Sequence, residues 1–197
     1  MQLGQRRFWI FDMDGTLTVA VHDFEAIRTE LGLEPSKPIL EQIAELPRER
    51  ALRVSARLDA IELALAARAR AAAGAHALLE RLSERGARLG ILTRNSFANA
   101  CETLRACELA HFFEPTCVLG REAAAPKPDP QGIRRLLAHW SAEPREAVMV
   151  GDYRYDLLAG RAAGALTVYV DPEGAFPFAE LADVAVDSLS ALAERLA

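Results

Sequence analysis

A small set of polar residues stands directly after stretches that read as buried strands. Asp12 and Asp14, followed by Gly15 and Thr16, end the apolar run Phe8-Trp9-Ile10-Phe11. Thr93, Arg94 and Asn95 close the segment Arg88–Thr93. Lys127 lies in Ala125-Pro126-Lys127-Pro128-Asp129-Pro130, after a short strand at Thr116–Leu119, and Asp152 and Asp156 follow Ala147–Gly151. Carboxylates crowded on one rim repel each other, and a hard divalent cation with oxygen ligands, Mg²⁺ above all, relieves that repulsion. A Lys and a Thr beside such an ion can hold the oxygens of a phosphoryl group. An Asp carboxylate can attack phosphorus, dividing one difficult displacement into two. A second Asp two residues on can carry the proton for the leaving and attacking oxygens.

These residues share a rim only if the strands are parallel and adjacent, so the elements between them matter. Beyond Gly74 the rhythm is helix, strand, helix, strand: helix Ala75–Glu84, strand Arg88–Thr93, helix Ser96–Leu104, strand Thr116–Leu119, helix Pro130–His139, strand Ala147–Gly151. Helix Tyr155–Ala163, strands Leu166–Val170 and Val184–Val186, and helix Leu189–Leu196 complete it. Continuous apolar strands alternating with helices predict an α/β doubly wound parallel sheet, Rossmann-like and covered on both faces. Ligands bind such sheets outside the carboxyl ends of the strands, where these polar residues fall.

Between the first strand and this core lies a block of different character, with no credible strand. Asp23–Leu31 and Ile39–Leu46 read as short helices, and a longer helix opens at Pro47 with Ala51, Val54, Leu58, Ile61 and Leu65 on one stripe. Its alanine-rich end, Ala66–Ala73, is closed by Gly74. The expected organisation is a core of residues 1–18 and 74–197 with a small all-helical cap over 19–73. Arg48, Arg50, Arg53 and Arg57 fall on the solvated face opposite that stripe.

Composition narrows the function classes. The chain has 197 residues, 51% hydrophobic and 26% charged, enough to bury a core without disulfides or zinc. Lys and Arg number 23 against 28 Asp and Glu, a net charge of −5 that disfavours nucleic-acid and anionic-membrane surfaces. The longest apolar stretch, Ile61–Leu79, is interrupted by Glu62, Arg68, Arg70 and His76, so no bilayer span is expected. A leader is equally unexpected, because Asp12 and Asp14 cut the apolar run after Arg6 and Arg7 short. Cys101, Cys107 and Cys117 form no CxxC pair, which fits a reducing, cytoplasmic setting. The only lysines are Lys37 and Lys127 in a chain that otherwise uses arginine, so Lys127 reads as a chemical requirement for a point charge. Its proline-flanked segment reads as an exposed loop.

Each residue also has a plainer reading. Asp12-Met13-Asp14-Gly15 could be a turn, Thr93 a β-branched strand residue, and Asn95 the N-cap of the helix from Ser96, with Arg94 a surface charge. Asp152 and Asp156 could be an N-cap and a first-turn acid. Gly15 directly after Asp14 excludes an EF-hand loop. No HExxH, GxxxxGK[ST] or GxSxG occurs, which disfavours zinc hydrolase, P-loop and serine hydrolase chemistry.

Taken together, Asp12-Met13-Asp14-Gly15-Thr16-Leu17, Thr93 after Gly90-Ile91-Leu92, Lys127 in Pro126-Lys127-Pro128 and Gly151-Asp152-Tyr153-Arg154-Tyr155-Asp156 resemble motifs I to IV of the haloacid dehalogenase superfamily of phosphohydrolases. The helical block corresponds in position to the cap of members related to phosphoglycolate phosphatase. The resemblance implies that Asp12 is nucleophile and metal ligand. Asp14 would then be acid/base and lend its backbone carbonyl to Mg²⁺, with Thr93 and Lys127 on the phosphoryl group. Asp152 would complete the metal site, and Asp156 would reach the metal through water or hold Lys127. Asn95 is a candidate substrate contact. An Asp at position 14 points to phosphate esters, since the dehalogenase and phosphonate branches lack it; the Tyr after Asp152 departs from the usual small residue. The expectation is Mg²⁺-dependent hydrolysis of a small phosphorylated metabolite, with phosphoglycolate, sugar, nucleotide and vitamin phosphates all open, as is the oligomeric state. A phosphotransferase or mutase using the same intermediate, and a non-catalytic binding protein on this scaffold, are the rivals.

Overall fold

Burial of every residue of the central strands dictates the layering. The computed structural model describes residues 3–20 and 23–196, and its six strands form one sheet in the order β3-β2-β1-β4-β5-β6. They are β1 Phe8–Phe11, β2 Arg88–Leu92, β3 Val118–Leu119, β4 Ala147–Gly151, β5 Leu166–Val170 and β6 Val184–Val186. All pairings are parallel, with Phe11 opposite Ile91 on one side and Val150 on the other. Side chains alternate across a strand, so β1 feeds two cores. Trp9 and Phe11 enter the layer built with α4 (Ala75–Glu84), α5 (Phe97–Ala106) and α8 (Leu189–Glu194). Phe8 and Ile10 enter the layer built with α6 (Gln131–Trp140) and α7 (Arg154–Ala163). The expected doubly wound α/β sheet is thus present. Its order reverses between β1 and β4, which opens a crevice beyond their carboxyl ends.

Three helices precede this core: α1 Phe24–Leu31, α2 Ile39–Glu45 and α3 Arg48–Ala66. Asp23 caps α1 by accepting from the Ala26 amide at 2.9 Å, and Gly32 ends it in the left-handed conformation that suits glycine. They enclose their own apolar cluster of Ile27, Leu31, Ile43, Val54 and Leu58.

The alanine-rich tail departs from expectation. α3 stops at Ala66, and residues 67–73 are not helical despite their composition. Here the chain returns to the core beside the segment that left it. Val19 donates to the Arg70 carbonyl at 2.9 Å, Ala72 donates to the Leu17 carbonyl at 2.8 Å, and Thr18 bridges Ala71 in antiparallel fashion. Mutual satisfaction of these backbone groups overrides a helix propensity of a few tenths of a kcal/mol per residue. Gly74 starts α4 rather than ending α3, at φ 84°, where a Cβ would meet Ser190 Oγ at 2.4 Å. Strand ends also move. β2 finishes at Leu92, leaving Thr93 outside the ladder, and β3 is only Val118–Leu119.

Helix α7, which carries Asp156, lies against the sheet through Gly160, where a Cβ would come within 2.6 Å of Thr167 and 3.0 Å of Met149. Gly160→Val should therefore destabilise the protein by about 1–3 kcal/mol through overpacking. A lower denaturant midpoint at unchanged slope is the expected result.

Candidate active site

The crevice is a cavity of about 370 Å³ reached by four strand ends and by the cap helices. Asp12, Asp14, Thr93, Asn95, Lys127, Asp152 and Asp156 all line it. Sequence positions spread from 12 to 156 therefore converge because the strands are parallel and neighbouring. Asp12 continues β1, its amide donating to the Val150 carbonyl at 2.8 Å.

Lys127 is the centre of the arrangement. Its Nζ lies 2.5 Å from Asp12 Oδ1 and 2.6 Å from Asp156 Oδ1. It is 3% exposed, which corrects the expectation of an exposed loop residue. Burial by itself would drive the proton off; the Asp12 and Asp156 carboxylates outweigh it and hold the ammonium charged, well above the ordinary lysine range. Asp156 has a second role. Its Oδ2 accepts from the Tyr153 amide at 3.0 Å, as a first-turn acid does at a helix start. Both oxygens are therefore engaged, one by the ammonium and one by the α7 backbone. The N-cap itself is Tyr153, not Asp152.

Asp14 accepts from Asn95 Nδ2 at 2.7 Å. Asn95 thus turns its side chain into the site and leaves capping of α5 to Ser96. Burial, then the nearby Asp12 and Glu62 charges, push the Asp14 carboxyl up to about 7 against the opposing Asn95 bond. Asp152 accepts a 3.0 Å bond from the Thr16 hydroxyl. Burial and the Asp12 and Asp156 charges raise its pKa too, and burial raises that of Asp156. Thr93 is buried, and its Oγ1 accepts from the Asn95 amide at 3.1 Å.

This donor set fits a hard cation. Oxygens of Asp12, Asp152 and Asp156 lie within 4.8 Å of one another, and among the described residues the hydrogen-bond partner of the Asp152 carboxylate is the neutral Thr16 hydroxyl. Gly15 keeps the approach open, because a Cβ there would sit 2.4 Å from Asp152 Oδ2. All-oxygen ligation from carboxylates suits Mg²⁺.

Other residues of the cavity escape sequence reasoning. Arg121 donates to Glu62 from Nη1 at 3.2 Å and from Nη2 at 2.8 Å, and pairs with Asp59. Asn99 donates to Glu62 at 2.9 Å. Signals existed for both partners: Arg121 follows β3 almost directly, and Glu62 interrupts the buried Val54, Leu58, Ala66 stripe of α3. Arg94 is no free surface charge, since it pairs with Glu41. Arg48, Arg50, Arg53 and Arg57 are exposed as expected, and the cavity's cap arginine is instead Arg28.

The raised carboxyls have a thermodynamic consequence. The folded state binds protons more tightly than the unfolded chain at Asp14, so its contribution to stability is full below about pH 4 and is lost as pH rises through about 7. Chelator-treated protein should therefore lose melting temperature between about pH 5 and pH 7. Asp14→Asn, which can still accept from Asn95, should flatten that slope in thermal melts.

Comparison with known proteins agrees with this geometry. The family profile of haloacid dehalogenase-like hydrolases matches residues 9–170. An uncharacterised hydrolase of Saccharomyces cerevisiae, YOR131C, is 31% identical over 194 residues, spanning 95% of this chain and 89% of that one. Phosphoglycolate phosphatase 1 of Pseudomonas aeruginosa is 30% identical over 182 residues, spanning 80% and 66%. The crystal structure of a hydrolase from Pseudomonas syringae superposes with a TM-score of 0.79 at 25% identity, covering 97% of both chains. The chain belongs to the haloacid dehalogenase-like hydrolases, within their phosphatase branch.

Proposed function

We propose that this enzyme hydrolyses a small phosphomonoester, with Mg²⁺, through an aspartyl-phosphate on Asp12. The observation that carries the reading is the placement of Lys127 between Asp12 and Asp156, with Asp14, Thr93 and Asp152 on the same cavity. Asp12 and Asp152, with the backbone carbonyl of Asp14, are the groups that would hold Mg²⁺. When bound, the ion supplies positive charge to the phosphoryl oxygens. Asp156 keeps Lys127 in place, with one oxygen on the ammonium and the other accepting from the Tyr153 amide.

The chain's own residues divide the work as follows. A carboxylate oxygen of Asp12 attacks phosphorus as the ester P–O bond breaks, and Asp14 gives its proton to the departing alkoxide. Burial, which raises the Asp14 carboxyl to about 7, favours the protonated form that this step needs. Asp14 then takes a proton from the water that attacks phosphorus, the Asp12–phosphorus bond breaks, and inorganic phosphate leaves. Lys127 and the Thr93 hydroxyl meet the charge that builds on the phosphoryl oxygens. Residues 19–73 act as a cap over the core of 1–18 and 74–197, and a closed cap over a cavity of this size favours a small metabolite over a macromolecule. The related phosphoglycolate phosphatase 1 supports that substrate class.

A panel of phosphomonoesters assayed with Mg²⁺ tests the reading. Turnover should vanish on dialysis against EDTA, return with Mg²⁺, and be inhibited by excess Ca²⁺. Asp12→Asn should be inactive; turnover equal to wild type in that variant would remove Asp12 as the nucleophile.

Asp14→Asn separates the two carboxylates of the first motif. It should lose about 10²–10⁴-fold in rate on alkyl phosphates. The first step should suffer less with p-nitrophenyl phosphate, whose leaving group needs little protonation, and phosphoenzyme should accumulate. Equal losses on both substrates without trapped phosphoenzyme would take Asp14 out of proton transfer. Lys127→Met should cost kcat and also about 3–5 kcal/mol of stability, because it strands two buried carboxylates.

A further inference from the structure

One residue directly after β2, Arg94, is held from two of the cap helices at once. Arg94 Nη2 donates to both carboxylate oxygens of Glu41 in α2, at 2.8 and 2.7 Å. Nη1 of the same guanidinium donates to the backbone carbonyl of Lys127 at 2.6 Å. The group is planar, so it cannot turn to follow one partner without changing its bond to the other. The Tyr155 ring, 5.3 Å from the guanidinium carbon, fixes the plane further. The backbone of Arg94 is held as well: its carbonyl accepts from Arg121 Nη1 at 3.2 Å, and Arg121 pairs with Asp59 and Glu62 of α3. Two of the three cap helices thus hold residue 94, α2 by its side chain and α3, by way of Arg121, by its carbonyl. Its neighbours Thr93 and Asn95 face the phosphoryl site and Asp14.

We propose that Arg94 is a positioning residue that makes seating of the cap and placement of Lys127 a single event. With α2 seated, Glu41 orients the guanidinium, and the guanidinium holds the 127 carbonyl so that the ammonium stands between Asp12 and Asp156. With α2 lifted, Lys127 loses a backbone anchor, and the site is incomplete until the cap returns. The inference rests on the phosphatase reading only for its kinetic arm.

The test combines amide hydrogen exchange with steady-state kinetics on the full chain. Glu41→Gln should speed exchange in residues 39–45 and, in the same variant, at the amides of Ala125, Lys127 and Asp129, the non-proline positions of 125–130, although among the described residues the hydrogen bonds of the Glu41 carboxylate go to Arg94. Faster exchange confined to 39–45 would overturn the coupling, whatever the enzyme hydrolyses. In kinetics, Glu41→Gln should lower kcat by about tenfold, the scale on which orienting partners act, with KM changed by less than about twofold. A lower KM at unchanged kcat would mean that Arg94 binds substrate and Glu41 competes with it, which overturns the proposal. The exchanged pair Glu41→Arg with Arg94→Glu completes the test. It should restore protection of 39–45, but not kcat, because a carboxylate cannot donate to the Lys127 carbonyl. Full recovery of kcat would reduce the contact to a simple latch. Should that pair not fold, the exchange pattern of Glu41→Gln still decides.

Discussion

Five carboxylates, Asp12, Asp14, Glu62, Asp152 and Asp156, face one cavity, and a single buried ammonium stands between two of them. Isolated buried charges are too costly to leave unpaired, so the lysine and its two aspartates have to be placed together or not at all. The fold is arranged around that constraint. β1 and β4 are adjacent and parallel, which brings Asp12 beside the start of α7. Helix α7 begins where Asp156 can accept from its own first turn while facing Lys127. The close approach of α7 to β4 needs Gly151, where a Cβ would lie 2.2 Å from the Asp156 Cβ. Arg94 holds the lysine's carbonyl from the remaining side.

Much of this was legible in the sequence because the relevant signals are local. A strand buried on both faces must be a continuous apolar run, and Phe8-Trp9-Ile10-Phe11 and Ala147–Gly151 are such runs. In a parallel sheet their carboxyl ends share a rim, so the polar residues after them could be assigned to one site before any distance was known. The failures are long-range. Residues 67–73 have every local reason to continue the helix, yet the backbone of 70–72 pairs with Leu17–Val19, some fifty positions earlier. Lys127 sits among prolines that suggest exposure, and only the position of β1 and α7 buries it. Glu62 and Arg121 are 59 residues apart, a pair that no window on the sequence can contain.

The cap and the core are held by different kinds of force. Core residues such as Trp9, Ile10, Phe11, Leu78 and Val148 are fully buried. The cap cluster is smaller, and Ile43 and Val54 remain 8% and 9% exposed. Apolar burial gives each side chain about 1.5–3 kcal/mol and little directional information. It secures the cap's own helices without fixing their seat above the cavity. Directional contacts to the core come from Glu41, Asp59 and Glu62, which pair with Arg94 and Arg121, and Glu62 also accepts from Asn99; Glu41 and Asp59 are partly exposed, whereas Glu62 is buried.

A partly exposed pair such as Glu41–Arg94 is individually weak, about 0–1 kcal/mol. A cap seated by a large apolar interface would stay shut, whereas one joined only by its two linkers would lack a defined closed position. Directional pairs supply the position at little cost in reversibility. Their strength also depends on water leaving the cavity, because desolvation strengthens every charge interaction inside it. Loss of water from the cavity therefore strengthens the contacts that seat the cap and the interactions among the paired charges of the site, while it penalises any charge left unpaired.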